Sequence, residues 1–104
     1  MPVASGAIAL AVARDHPAYA GHFPGDPILP GVVLLAEVLA AVAQATGTAP
    51  HDWKVSQAKF LAPVRPGDGL SLELGPRLRG GDGFDFEVRS GDMVMARGTL
   101  ARGG

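Results

Sequence analysis

The stretch GVVLLAEVLAAVAQAT, Gly31–Thr46, carries a single charged side chain, Glu37, in sixteen positions. Valine, leucine and alanine fall on nearly every side of a 3.6-residue spiral. That predicts a helix enclosed on most of its faces rather than one resting on a surface. Pro30 has the fixed φ that suits a first helical turn, Gly47 offers a stop, and Pro50 blocks continuation. The apolar run from Ile28 to Ala43 is short of the ~20 residues needed to span a bilayer, and Glu37 interrupts it. At 104 residues the chain has room for one domain, 1–104, with a thin core. The remaining segments must therefore wrap this one helix, and oligomerisation would add to what it can bury.

The rest of the sequence supplies strands and one long loop. Ile8–Arg14 (IALAVAR) reads as a first strand, weakened by its alanines. Asp15–Pro30 holds Pro17, Pro24, Pro27 and Pro30 together with Gly21 and Gly25, which excludes regular structure. Loops of that length are uncommon in compact domains and are often functional. Beyond the helix, Trp53–Ala62, Leu70–Leu74, Phe84–Val88 and Met93–Ala101 read as strands. Turns at Pro63–Gly69, Gly80–Gly83 and Ser90–Asp92 separate them, the last as a tight hairpin. The expected fold is α+β, an antiparallel sheet wrapped around one central helix.

Composition removes several classes of function. Hydrophobic residues make up 47% of the chain and charged ones 18%, which argues for a folded protein. The net charge is −1, and its nine basic residues are scattered without a stripe that could track phosphates. Nucleic acid is therefore not an expected partner. The chain has no cysteine, so disulfides, thiolate catalysis and cysteine-bound zinc are excluded. His16 and His22 have no third ligand spaced near them, and Asp15 and Asp26 read as turn residues, so no metal is expected. The N-terminus lacks a positive region before its short apolar run, and the expected location is cytoplasmic.

At GHFPGDPILPGV, Gly21–Val32, the chain resembles the hotdog-fold β-hydroxyacyl-ACP dehydratases of the FabA/FabZ type, whose loop reads GHFPxxPxxPG and leads into a central helix. Nine positions of the twelve fit. AKFLAPVRPGDGLSLEL, Ala58–Leu74, is similar to the family's strand–turn–strand segment, and ARGTL, Ala96–Leu100, to its closing strand. The resemblance implies a hotdog fold, most simply a dimer with its two sheets joined edge to edge. It implies removal of water from a 3-hydroxyacyl thioester on acyl carrier protein or coenzyme A, in fatty-acid or related acyl-chain synthesis. His22 would take the Cα proton, and the Gly31 N–H would polarise the thioester carbonyl. Phe23, Pro30 and Val32 would border the substrate. No cofactor is implied, because the thioester itself acidifies the α-proton.

Elementary chemistry supports two of these roles. A neutral imidazole is available as a base near neutral pH. A helix N-terminus favours developing negative charge, such as an enolate oxygen, and glycine lets a ligand approach the backbone. The third role departs from the family pattern. The family carries a carboxylate five residues after the motif glycine, supplied to the partner's site, and here that position is Ala36. Glu37 follows one residue late, turned by about 100° around a helix. Three readings stand. Glu37 is brought into the site by a local distortion. Alternatively, the chain is a catalytically weak member that holds acyl thioesters or pairs with an active hotdog paralogue that supplies the carboxylate. In the third, it hydrolyses thioesters, with Glu37 as the helix carboxylate.

Overall fold

The computed structural model describes residues 7–10, 12, 28–76 and 83–102. Their elements run β1 (Ala7–Leu10), α1 (Gly31–Thr46), a short 3₁₀ turn (Pro50–Asp52), β2 (Trp53–Phe60), β3 (Leu70–Pro76), β4 (Gly83–Ser90) and β5 (Met93–Arg102). The strands form one antiparallel sheet in the order β1-β3-β4-β5-β2. This is the architecture expected from the sequence, one helix against an antiparallel sheet.

The helix has the predicted limits. Pro30 enters it with φ −59° and ψ 143°, and Gly47 ends it in the left-handed region at φ 70°. The Gly47 N–H donates to the Ala43 carbonyl, and Thr48 N donates to the same oxygen at 2.9 Å. These bonds satisfy a carbonyl that the helix end leaves over. Thr48 also receives the Trp53 indole N–H at 2.7 Å, which ties the start of β2 to the end of α1.

β3, β4 and, by one residue, β5 run longer than their alternation alone suggests. Leu70–Pro76 pairs through to Phe84, and Gly83–Ser90 pairs at both ends with β5, because each terminal residue gains a cross-strand partner. β2 is shorter, stopping at Phe60. Gly91, at φ 59°, and Asp92 form the two-residue turn between β4 and β5. The turn expected at Gly80–Gly83 lies outside the described residues except for Gly83, which opens β4. So does most of the expected Ile8–Arg14 strand beyond Leu10.

Alternation on β3 and β4 puts Leu70, Leu72, Leu74, Phe86 and Val88 on the inner face, where they meet Leu34, Val38 and Val42 of α1 in one buried cluster. Full burial of each such side chain contributes about 1.5–3 kcal/mol. β2 needs a bulge between Val55 and Gln57 to do the same. The extra residue, Ser56, shifts the alternation. Trp53 and Val55 before it, and Ala58 and Phe60 after it, then all turn towards the helix side.

One expectation changes. The helix is enclosed on one side only. Leu34, Val38, Val42 and Ala43 are buried, while Val32, Ala36, Ala40 and Gln44 form an exposed row at four-residue spacing. A single five-stranded sheet covers one side of a helix, and this helix is apolar on more sides than one sheet can reach. No helix among the described residues is long and apolar enough to cross a membrane.

Candidate active site

The site is built where α1 begins. The first N–H groups of a helix have no intrahelical acceptor, so those of Gly31 and Val32 remain available while Pro30 O takes Val33 N at 3.0 Å and Leu34 N at 3.2 Å. The helix start is fixed from the side. Leu29 N donates to Val64 O at 2.8 Å, and Leu61 N and Ala62 N both donate to Met95 O, at 2.9 and 3.2 Å. The last two bonds hold the segment after β2 against β5, and the first holds that same segment against the segment before α1.

Between them lies a cleft of about 520 Å³, whose walls include Ile28, Gly31, Val32, Phe60, Leu61 and Pro63. Among the described residues its walls are apolar side chains and backbone. The Phe60 ring closes over Gly31 so tightly that a Cβ there would lie 2.7 Å from its Cζ. A side chain at position 31 would therefore have to push the Phe60 ring aside. Val32 is 76% exposed, Phe60 50% and Leu61 43%, so the rim of the cleft is an uncovered apolar surface.

Such a cleft can hold an acyl chain, and the helix terminus at its lip can hold a carbonyl oxygen or an enolate. Pro30, Gly31 and Val32, predicted from sequence, are together at this lip. His22 and Phe23 lie outside the described residues. Ala36 is exposed, one turn beyond Val32 on the same row. Glu37 is half-buried on the flank of the helix and forms no ion pair among the described residues. α1 is regular through this region, with no bulge that would turn Glu37 into the Ala36 direction. No cluster of three or more potential metal ligands occurs among the described residues.

Phe60, Leu61 and Ile28 were not anticipated as site residues. The only signal for Phe60 lay in WKVSQAKF, whose parity depends on where the bulge falls. Arg65, in the turn after the cleft, has its N–H bonded to Asp68 Oδ2 at 2.9 Å, with Asp68 N returning to Arg65 O at 3.1 Å. That reciprocal turn explains the PVRPGD sequence locally.

Comparison with known proteins bears on the family and the fold. The family model for ApeI-like proteins (ApeI dehydratase) matches residues 4–99. The 3-hydroxyacyl-[acyl-carrier-protein] dehydratase FabZ of Chlamydia trachomatis serovar L2 is 38% identical, over 86% of this chain and 66% of its own length. FabZ of Acidovorax sp. strain JS42 is 40% identical, over 86% of this chain and 70% of its own length. The chain thus spans about two thirds of the length of these relatives. Among solved structures, the dehydratase heterocomplex ApeI:P from Xenorhabdus doucetiae superposes with a TM-score of 0.67 at 26% identity, covering 92% of this chain and 86% of that one. With its helix, sheet order and motif loop, the chain belongs to the ApeI-like dehydratases, within the hotdog-fold FabA/FabZ-type family.

Proposed function

We propose that this chain dehydrates 3-hydroxyacyl thioesters carried on acyl carrier protein, as the half of an active site that holds the base and the carbonyl donor, with a second hotdog subunit supplying the acid. His22 takes the Cα proton, and the electron pair moves into the thioester to give an enolate. The Gly31 N–H, at the positive end of α1, donates to the enolate oxygen. The enolate then expels the Cβ hydroxyl, which leaves as water with a proton from the second subunit's carboxylic acid. The products are the enoyl thioester and water. The acyl chain lies along the cleft beside Val32 and Phe60, with Phe23 and Pro30 bordering it.

The observation that carries the proposal is the placement of Ala36. It occupies the family's carboxylate position on an exposed apolar row, while Glu37 sits about 100° away on the flank of an undistorted helix. The chain thus has the loop and the donor but not the acid. The ApeI:P structure from Xenorhabdus doucetiae is itself described as a dehydratase heterocomplex, which supports completion of the site by a different chain.

Turnover of a 3-hydroxyacyl thioester by the purified chain tests this, with Ala36→Glu, Glu37→Ala and His22→Ala beside wild type. A positioned general acid is worth about 10²–10⁴-fold. Wild type alone is expected to be slow by that factor and insensitive to Glu37→Ala. It gains activity with Ala36→Glu, or when mixed with a hotdog subunit that carries the helix carboxylate, and His22→Ala removes the gain. Full activity of wild type alone that collapses with Glu37→Ala would show that Glu37 is the acid and no second chain is needed.

A further inference from the structure

The outer face of the sheet, opposite α1, carries a charge pattern that the active site does not use. One row crosses four strands in register. Lys59 on β2 lies beside Arg97 on β5, Arg97 beside Glu87 on β4, and Glu87 beside Glu73 on β3. Read across the sheet, the row is two positive charges followed by two negative ones. It crosses an open groove of about 650 Å³. Gly75 and Thr99, in the neighbouring row, also line that groove.

The two halves are nearly balanced. On the acidic side, Asp85 joins Glu73 and Glu87. Arg89 offsets part of that charge, with its guanidinium 2.7 Å from Glu87 Oε1 and 3.3 Å from Glu73 Oε2. On the basic side, Lys59 and Arg97 are both exposed and form no ion pair among the described residues. Like charges side by side on a sheet are unfavourable. The Glu73–Glu87 pair is relieved by Arg89, whereas among the described residues nothing relieves the Lys59–Arg97 pair.

We propose that this face docks a second copy of the same chain, back to back. A two-fold axis lying in the interface and running along the strands between β4 and β5 reverses the row. It sets Lys59 opposite Glu73 of the second copy and Arg97 opposite Glu87, and the symmetry repeats both contacts. An axis running across the strands would place like charges together, so the charges select one orientation. Packed sheets lie about 10 Å apart, a gap that a lysine or arginine and a facing glutamate bridge from the two sides. An isologous contact needs a self-complementary surface, and this row is one. The face is distinct from the β2 edge and from the apolar row on α1, so docking here leaves the active-site surface free.

Sedimentation of the purified protein in about 0.1 M salt, where surface charges are only partly screened, tests the proposal. Lys59→Glu/Arg97→Glu makes the row wholly acidic, and Glu73→Lys/Glu87→Lys makes it wholly basic. Each variant alone is expected to halve the assembly mass of wild type, with self-association weakened at least about a hundredfold. Mixing the two variants restores the wild-type mass. Circular dichroism checks that each is folded. Should the second variant fail to fold because Arg89 loses its partners, Glu73→Lys/Asp85→Lys, which keeps the Arg89–Glu87 pair, takes its place. Equal mass for wild type and Lys59→Glu/Arg97→Glu at every concentration would overturn the proposal, as would a mixture that does not associate. Loss of binding to an acidic carrier protein with unchanged mass would overturn it too.

Discussion

Gly98 is the residue whose replacement the structure penalises most clearly. It lies on β5 opposite Ala58, just past the β2 bulge, and faces the core beside Phe86. A Cβ added there would run into the Gln57 carbonyl oxygen, with Phe86 Cε2 at 2.9 Å and Ala58 Cα at 3.0 Å. Two of these three neighbours are backbone, so no side-chain rotation relieves the clash. Overpacking of this kind costs about 1–3 kcal/mol, and a backbone neighbour puts it at the upper end. The lower entropy of the unfolded alanine chain returns about 0.4–1 kcal/mol. The net loss expected for Gly98→Ala is about 2 kcal/mol, or roughly 10–15 °C in Tm for a domain of this size. Gly75→Ala is the control. Its Cβ meets nothing within 4 Å, and its stability should stay within about 0.5 kcal/mol of wild type or rise slightly. Urea unfolding of the three proteins, followed by Trp53 fluorescence, gives the comparison. If Gly98→Ala and Gly75→Ala unfold at the same midpoint, the bulge does not hold β2 against β5 as described, and the aim of Phe60 at Gly31 loses its cause.

Gly31→Ala should leave the melting temperature within a few degrees, because Phe60 is half-exposed and can swing aside. Dehydration should fall by about 10²-fold, as expected when the walls around a reacting group shift by about 1 Å. Thr48→Val removes the acceptor of the Trp53 indole N–H and leaves a buried donor unpaired, a loss of about 1–3 kcal/mol in denaturant unfolding with a shifted Trp53 emission. With His22 as base, kcat/KM in the complete site should fall on the acid side of the pH profile, because a protonated imidazole cannot take the Cα proton. A profile flat to pH 5 would remove His22 from that role.

Much of this architecture was readable because local signals agreed with one another. Pro30 and Gly47 bound the helix at the residues where the structure begins and ends it, since both act through backbone geometry that needs no tertiary partner. LSLEL and FDFEV declared their inner faces by alternation, and Leu72 and Phe86 are in the core as that pattern requires. Features that depend on partners were not readable. The last residues of β3 and β4 are strand only because each faces the other or β5. Ser56 is a bulge only because β5 fixes the register on both sides of it. Of the candidate site, Pro30, Gly31 and Val32 were placed together by the motif. Phe60, twenty-nine residues beyond Gly31 in sequence, reaches it only through the bulge.

The exposed row on α1 and the missing acid have a common physical explanation. Val32, Ala36, Ala40 and Gln44 form a face that this chain's own sheet leaves uncovered. If another subunit covers that face, a carboxylate at 36 would be buried with it, at a cost of several kcal/mol unless it were paired or in use. Alanine avoids that cost and is the best helix former available. A carboxylate one position later, on the flank, keeps its solvent, as Glu37 does. The proposed base and carbonyl donor are under no such constraint, because in the sequence His22 belongs to the motif and Gly31 opens the helix, and neither is in the uncovered row. A chain whose helix face serves for docking can therefore give up its own acid without weakening the fold. In the reaction proposed above, His22 and the Gly31 amide would then work with an acid supplied from across the interface.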